Sequence, residues 1–410
     1  MYQHLIPILL LFLTIVPRIC SGETVALKGG TVHPVSSDPI ENAIIVFDES
    51  GILGVGAKVD VPEGATTVDC AGKHIYPSMI VANSVIGLLE IPSVRATVDT
   101  SETGSFNPNA MAHKAFNPDS EIIPVTRSNG VLLALAAPTG GLFSGQSSLM
   151  RLSGWTWEEM LVEPGVAMHV NWPRATSDSS ELRRLKTLID DAHAYRAARA
   201  ADPQGTPFDI RWEAMQPLIT GKQPMTVDAN SLEEIEAAVA FASRHDLKLI
   251  IRGGYDAPLC APLLKGNDVP VIVSAVHRLP QRRSDPYDAA YTLPERLRKA
   301  GIKFCIAGDN RFASNARNLP YHAATAAAYG LPLGEALKSI TLYPAQILGV
   351  ADRVGSLEPG KEATLFISNG DPLETPTQIL AAYAAGKQVD LNDRHKSLYE
   401  KFKRRLEEKK

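Results

Sequence analysis

Two histidines stand at the ends of short apolar runs. His169 closes Gly165-Val166-Ala167-Met168, and His277 follows Val273-Ser274-Ala275 by two residues. An imidazole so placed can ligate a divalent metal or move a proton, since it is the side chain that titrates near neutral pH. A single histidine at a strand end is more often a hydrogen-bonded packing residue. His322, in Leu319-Pro320-Tyr321-His322, opens a helical stretch, and His113 has no strand context. A Gly/Ser-rich segment at residues 139–148 could present backbone N–H groups to an anion or a substrate carboxylate, or form a tight loop. It carries neither the lysine of a phosphate-binding loop nor a G-x-S-x-G elbow, and no Ser-x-x-Lys accompanies it, which sets serine-hydrolase chemistry aside. Trp155, Trp157 and Trp172 flank one apolar run and read as core packing or a lid. Cys70, Cys260 and Cys305 are irregularly spaced with no CxxC pair, so neither a disulfide framework nor a cysteine zinc site is indicated.

The elements that must position these residues follow from periodicity. Residues 25–35 and 43–56 are strand-rich, with a turn at Asp48-Glu49-Ser50-Gly51, and fit a small antiparallel sheet. From Ile80 onward short apolar strands alternate with helical segments. Strands end at Val81, Ala136, Val170, Val227, Ile251, Ala275 and Ile306, and helices are predicted over 179–200, 231–245 and 294–300. Such alternation argues a parallel sheet with helices outside. Seven strands are counted. The stretch from Trp172 to Gln223 yields no strand and reads as a helical pair around Asp202-Pro203-Gln204-Gly205. After Tyr343-Pro344-Ala345 turn and strand chemistry returns, and residues 393–410 fit an amphipathic helix with apolar Leu398, Tyr399, Phe402 and Leu406.

The apolar run Leu5 to Val16 is too short to span a bilayer comfortably, and Cys20-Ser21-Gly22 follows it with small residues. Residues 1–22 are expected to be a signal peptide, and the protein to be exported, periplasmic or extracellular. The 388 residues after Gly22 exceed one ordinary core, so a large and a smaller domain are expected. A net charge of −4 offers no basic footprint for nucleic acid, and the only membrane contact expected is through the signal segment. A small-molecule ligand is the expected partner; oligomeric state is not legible.

An ordered set of motifs covers most of the chain. Lys73-His74-Ile75-Tyr76-Pro77-Ser78-Met79-Ile80 leads into the first strand, and Gly130 to Ala136 is followed by Pro138-Thr139-Gly140-Gly141-Leu142. Further on come Ala336 to Ala345 (ALKSITLYPA) and Gly355-Ser356-Leu357-Glu358-Pro359-Gly360-Lys361-Glu362-Ala363. Together these resemble the amidohydrolase superfamily in its imidazolonepropionase-like branch. That resemblance implies a (β/α)8 TIM-like barrel over residues 77–350. A small composite β-sandwich from residues 23–76 and 351–390 and a charged helical tail at 391–410 complete the expected layout.

The resemblance also implies divalent metal at the C-terminal mouth of the barrel, held by His-x-His on strand one, a bridging Lys or carboxylate, single histidines on strands five and six, and an Asp on strand eight. Metal would activate water and polarise the scissile bond. In this chain the His-x-His positions hold Asn83 and Val85, in Asn83-Ser84-Val85. Asp228 or Asn230 stands where the strand-five histidine is expected, and Arg252 where the strand-six one is. Asp309, in Ala307-Gly308-Asp309-Asn310, keeps the strand-eight motif and is the one expected catalytic residue; His169 and His277 would lie near the mouth. The remaining oxygen donors suit a hard cation weakly and zinc poorly, so no cofactor is assigned. Without metal, Arg252 and Asp309 are expected to pair. By family the function is hydrolysis of non-peptide carbon–nitrogen bonds in small cyclic amides or imides. The alternative is a non-catalytic exported binding or scaffold protein on the same frame.

Overall fold

The computed structural model describes residues 23–173, 179–308 and 312–408. The signal-peptide expectation and Asp309 therefore lie outside the described residues.

The small sheet is assembled from two distant parts of the chain. Its first part comprises β1 (Val25–Val32), β2 (Ile40–Asp48), β3 (Gly51–Gly56), β4 (Thr66–Asp69) and β5 (His74–Pro77). The central layer of the molecule then follows with β6 (Met79–Ser84), β7 (Val131–Ala136), β8 (Phe143–Gln146), β9 (Ser148–Arg151), β10 (Leu161–Glu163) and β11 (Met168–Val170). It continues through β12 (Met225–Ala229), β13 (Leu249–Gly253), β14 (Val271–Val273) and β15 (Phe304–Ile306). The chain returns to the small sheet with β16 (Leu365–Ser368), β17 (Ile379–Ala384) and β18 (Lys387–Gln388). The order there is β18-β17-β16-β5-β1-β2-β3, with β4 beside β1. β16 runs antiparallel to β5, from Leu365 opposite Pro77 to Ser368 opposite His74. Period-two alternation puts Leu27, Ile45, Phe47, Ile75, Leu365 and Ile367 into one apolar core.

The central layer is a TIM-barrel-like α/β arrangement. β6 pairs parallel with β7, and β11 through β15 pair parallel in order. All seven strands expected from the sequence are present. Among the described residues between Trp172 and Gln223 there is no strand, only the helices Ser180–Ala201 and Ile210–Ile219. An antiparallel connector comes instead from the Gly/Ser-rich segment: β8 pairs with β11, and β9, one residue further on, pairs with β7. The expectation of a loop is corrected here. Phe143, Gln146, Ser147 and Ser148 are all buried, and the ladder satisfies backbone groups that a buried loop would leave unpaired. β15 and β6 share no ladder. Between them Ser339 O accepts from Ile306 N at 2.9 Å and Ile340 O from Ile80 N at 2.8 Å.

Alternation also decides which side chains reach the inside. Met225, Val227, Leu249 and Ile251 share a core with Ile235, Ala238 and Val239 of the helix Leu232–Arg244, so they face outward. Thr226, Asp228, Ile250 and Arg252 take the opposite, inner face. There Ile80, Leu133, Leu135, Leu149, Ile250, Ile272 and Cys305 form a second core, packed with Ala345, Leu348 and Val354.

Candidate functional site: the mouth of the strand layer

The C-terminal ends of parallel strands present their last inward residues to one opening, which is where this architecture places its chemistry. Asp228 and Arg252 are each the fourth residue of their strand and lie directly opposite in the β12–β13 register. Asn83 reaches the same opening by a different route. Val81 pairs with Ala134 but Ser84 with Ala136, so β6 carries one extra residue against β7. That bulge turns Asn83 to the inner side, which regular alternation after Ile80 and Ala82 would have denied it.

The three side chains form one cluster. Arg252 binds Asp228 through two parallel hydrogen bonds, Nε to Oδ1 and Nη2 to Oδ2. Its Nη1 donates to Asn83 Oδ1 at 2.9 Å. The guanidinium is only 11% exposed, whereas Asp228 is 49% exposed, so the pair is buried on the arginine side and wet on the carboxylate side. The expected Arg252–Asp309 pair involves a residue outside the described ones; among the described residues Arg252 pairs with Asp228, favoured by fork-to-carboxylate geometry and shared register. Asn83 is 2% exposed and its Nδ2 has no partner among the described residues.

His169 lies on β11 with its ring on the inner face, 4% exposed, and its Nε2 has no partner among the described residues. Burial, with nearby Arg252, pushes its imidazole down to about 3, so the ring is neutral at physiological pH. The remaining expected site residues do not join the Arg252 cluster. His277 is exposed, stacks on His322 at 4.2 Å and shares a 2.7 Å hydrogen bond with Thr325 Oγ1. Asn230 sits at the start of the helix Leu232–Arg244, its N–H donating to Glu234 Oε2 at 2.9 Å. Its side chain fills the space over Gly253, where an added Cβ would come within 2.6 Å of Asn230 Oδ1, and φ of +103° there already favours glycine. Val85 is buried in the outer core. Trp172 packs edge-on to Phe241, Trp157 lies against His113, and Trp155 is exposed, so none of the three lines the mouth.

The donor set can be tested against the metal the resemblance implies. Both oxygens of Asp228 and the oxygen of Asn83 are already turned to the guanidinium, and a dication there would face a fixed positive charge. Among the described residues no three His, Cys, Asp or Glu side chains converge as ligands. The described residues at the mouth do not fit a divalent metal. What they make is a charge-balanced opening lined by unspent hydrogen-bonding capacity on Asn83 and His169.

Cavities lie away from this cluster. A cleft of about 1000 Å3 opens at the opposite ends of the strands, among Pro224, Lys248, Pro270 and Lys303. Its position at the entry ends of β12–β15 makes the mouth the better candidate despite the cleft's size. Another cavity, of about 830 Å3, lies under residues 99–115 beside Ser144 and Gln146.

With the geometry in place, the likenesses to known proteins can be stated. The Amidohydrolase family model matches residues 229–391. The chain is 24% identical over 373 residues to an imidazolonepropionase of Mesorhizobium japonicum, covering 83% of this chain and 89% of that one. It is 23% identical over 355 residues to the amidohydrolase tasK of Hapsidospora irregularis, covering 77% of this chain but only 36% of that relative's length. Among solved structures, an amidohydrolase from Thermotoga maritima superposes with a TM-score of 0.80 at 24% identity, covering 89% of this chain and 99% of that one. A prolidase complexed with N-methylphosphonate-L-proline follows at 0.55 and 17%, covering 90% and 99%.

The chain belongs to the amidohydrolase superfamily, a family of hydrolases.

Proposed function

We propose that this protein binds a small molecule at the mouth of its barrel without the metal-dependent hydrolysis of its family. One observation carries the proposal: the Arg252 guanidinium, tied to Asp228 and Asn83, occupies the donor atoms a metal would need. A cyclic amide or imide suits the remaining site, since Asn83 Nδ2 offers a donor to a carbonyl and the Arg252–Asp228 pair leaves little net charge.

A metal-free hydrolase is the second reading, favoured by a neutral, unshared imidazole nitrogen on His169 at the same opening. Asp309 would be the base or orienting carboxylate in that case, on the strength of its motif alone. The layout we propose is a (β/α)8 barrel over residues 77–350, a β-sandwich from residues 23–76 and 351–390, and a helical tail. Strands from both parts in one small sheet support it. Export through residues 1–22 is part of the same proposal. It is supported by the apolar run at Leu5 to Val16, while the net charge of −4 speaks against nucleic acid as a partner.

The test is elemental analysis of tag-free protein joined to a panel of cyclic amides and imides. Binding of a panel member without mouth-bound metal or turnover is the expected result. Stoichiometric zinc or iron, lost on Asp228→Asn, would overturn the proposal. Metal-free turnover abolished by Asp309→Asn would establish the hydrolase instead.

A further inference from the structure

Two histidines that play no part at the mouth meet on the small sheet. His74 opens β5, and Thr31 of β1 lies opposite it in a parallel register, which brings His33, two residues further on, alongside. Backbone bonds hold the seam: His33 N donates to Ile75 O and Thr31 N to Lys73 O, both at 2.9 Å. His33 is stacked on Tyr76 with centroids 4.1 Å apart and 12° between planes, so its ring direction is set by packing. It points Nε2 at His74 Nδ1, 3.0 Å away, with ring centroids 5.3 Å apart.

We propose that His33 and His74 form a two-imidazole site for a divalent transition-metal ion, with copper(II) preferred over zinc(II). Two imidazole nitrogens on one such ion, each at ~2.0–2.1 Å, stand about 3.0–3.4 Å apart, close to the spacing already present. Only one proton lies between the two nitrogens in the hydrogen-bonded pair. On binding, the donor ring shifts that proton to its other nitrogen, both lone pairs turn to the metal, and no proton is lost. A pocket of about 390 Å3 opens on the His33 side, with Asp371 in its lining. It gives room for water to complete the coordination, and the carboxylate adds favourable potential. No third side chain is within ligating range among the described residues, so the site has two protein ligands, and imidazole donors without thiolate place copper(II) first. The pocket is also lined by Leu333, Leu337 and Lys338 of the helix Leu333–Lys338, so a bound ion would stiffen the seam between small sheet and barrel.

The experiment is titration of tag-free, full-length protein with copper(II) and with zinc(II), followed by calorimetry and electron paramagnetic resonance. We expect one copper per chain with micromolar or tighter affinity and a spectrum showing two coordinating nitrogens. Affinity should fall at least about tenfold in His33→Gln and in His74→Gln. It should be unchanged in His169→Gln/His277→Gln. Non-saturable binding, a spectrum without two nitrogens, or loss on the mouth variant instead would each overturn the proposal. The wild-type spectrum decides the matter even where a histidine variant fails to fold.

Discussion

At the mouth of the strand layer, three strand ends bring together Asn83, Asp228 and Arg252; on the small sheet, two strands bring together His33 and His74. Both are cross-strand polar contacts, half shielded from water. They differ in what remains unspent. At the mouth the cation is built in, and the donors that could hold a metal are turned to it. On the small sheet two nitrogens share a single proton, and no built-in cation stands between them. Residue type at a strand end is therefore not enough to say where a metal goes; what matters is whether its lone pairs are already committed.

The contrast can be broken or sharpened by measurement. The largest effect is expected from Arg252→Met, which leaves Asp228 and Asn83 without their shared donor. Because Asp228 is half exposed, the expected loss is roughly 1–3 kcal/mol, read by urea denaturation. Combined with Asp228→Asn the losses should fall short of additive, and strictly additive values would mean the pair contributes no coupling. Gly253→Ala should cost about 1–3 kcal/mol, since the new methyl meets Asn230 at a backbone conformation that disfavours it. An unchanged melting temperature would show that Asn230 moves aside freely.

The pH dependence comes next. His169 remains neutral in the folded protein down to about pH 3, whereas unfolded histidine takes up a proton below about 6.5. The unfolded state then binds more protons across that window. This contribution to stability is complete above pH 6.5 and is lost as the pH falls toward 3, by at most about 1.4 kcal/mol per unit. His33 acts in the same sense down to about pH 4. His169→Gln should flatten the slope over the whole window and His33→Gln over its upper part; parallel slopes for wild type and both variants would contradict this. The smallest effect expected is chemical. Cys70, Cys260 and Cys305 are buried free thiols, and burial raises all three, so native protein should resist alkylation at these positions that urea-unfolded protein undergoes rapidly. Fast labelling under native conditions would reveal local opening.

Much of the strand layer is legible in the sequence because the apolar runs ending at Val81, Ala136, Val170, Val227, Ile251 and Ile306 are short, continuous and buried on both faces. The Gly/Ser-rich segment misleads for a physical reason. Its glycines and serines have weak strand preference, and only pairing with β11 and β7 makes Phe143–Arg151 extended. Asn83, Asp228 and Arg252 are visible as polar residue types, and the shared fourth position of Asp228 and Arg252 in their strands accounts for their pairing. Asn83 joining them is not visible, since it depends on a bulge against β7 and spans 169 residues of sequence.

The sequence by itself determined the strand–helix alternation, the strand-rich ends and the polar residue types of Asn83, Asp228 and Arg252 at or beside strand ends. These follow from local periodicity and residue chemistry. Tertiary structure alone decided that Arg252 holds Asp228 and Asn83, that residues 143–151 bridge two parallel sheets, and that His33 faces His74. Each of those is a matter of register between segments far apart in the chain, and a shift of one residue would turn the same side chains to the other face.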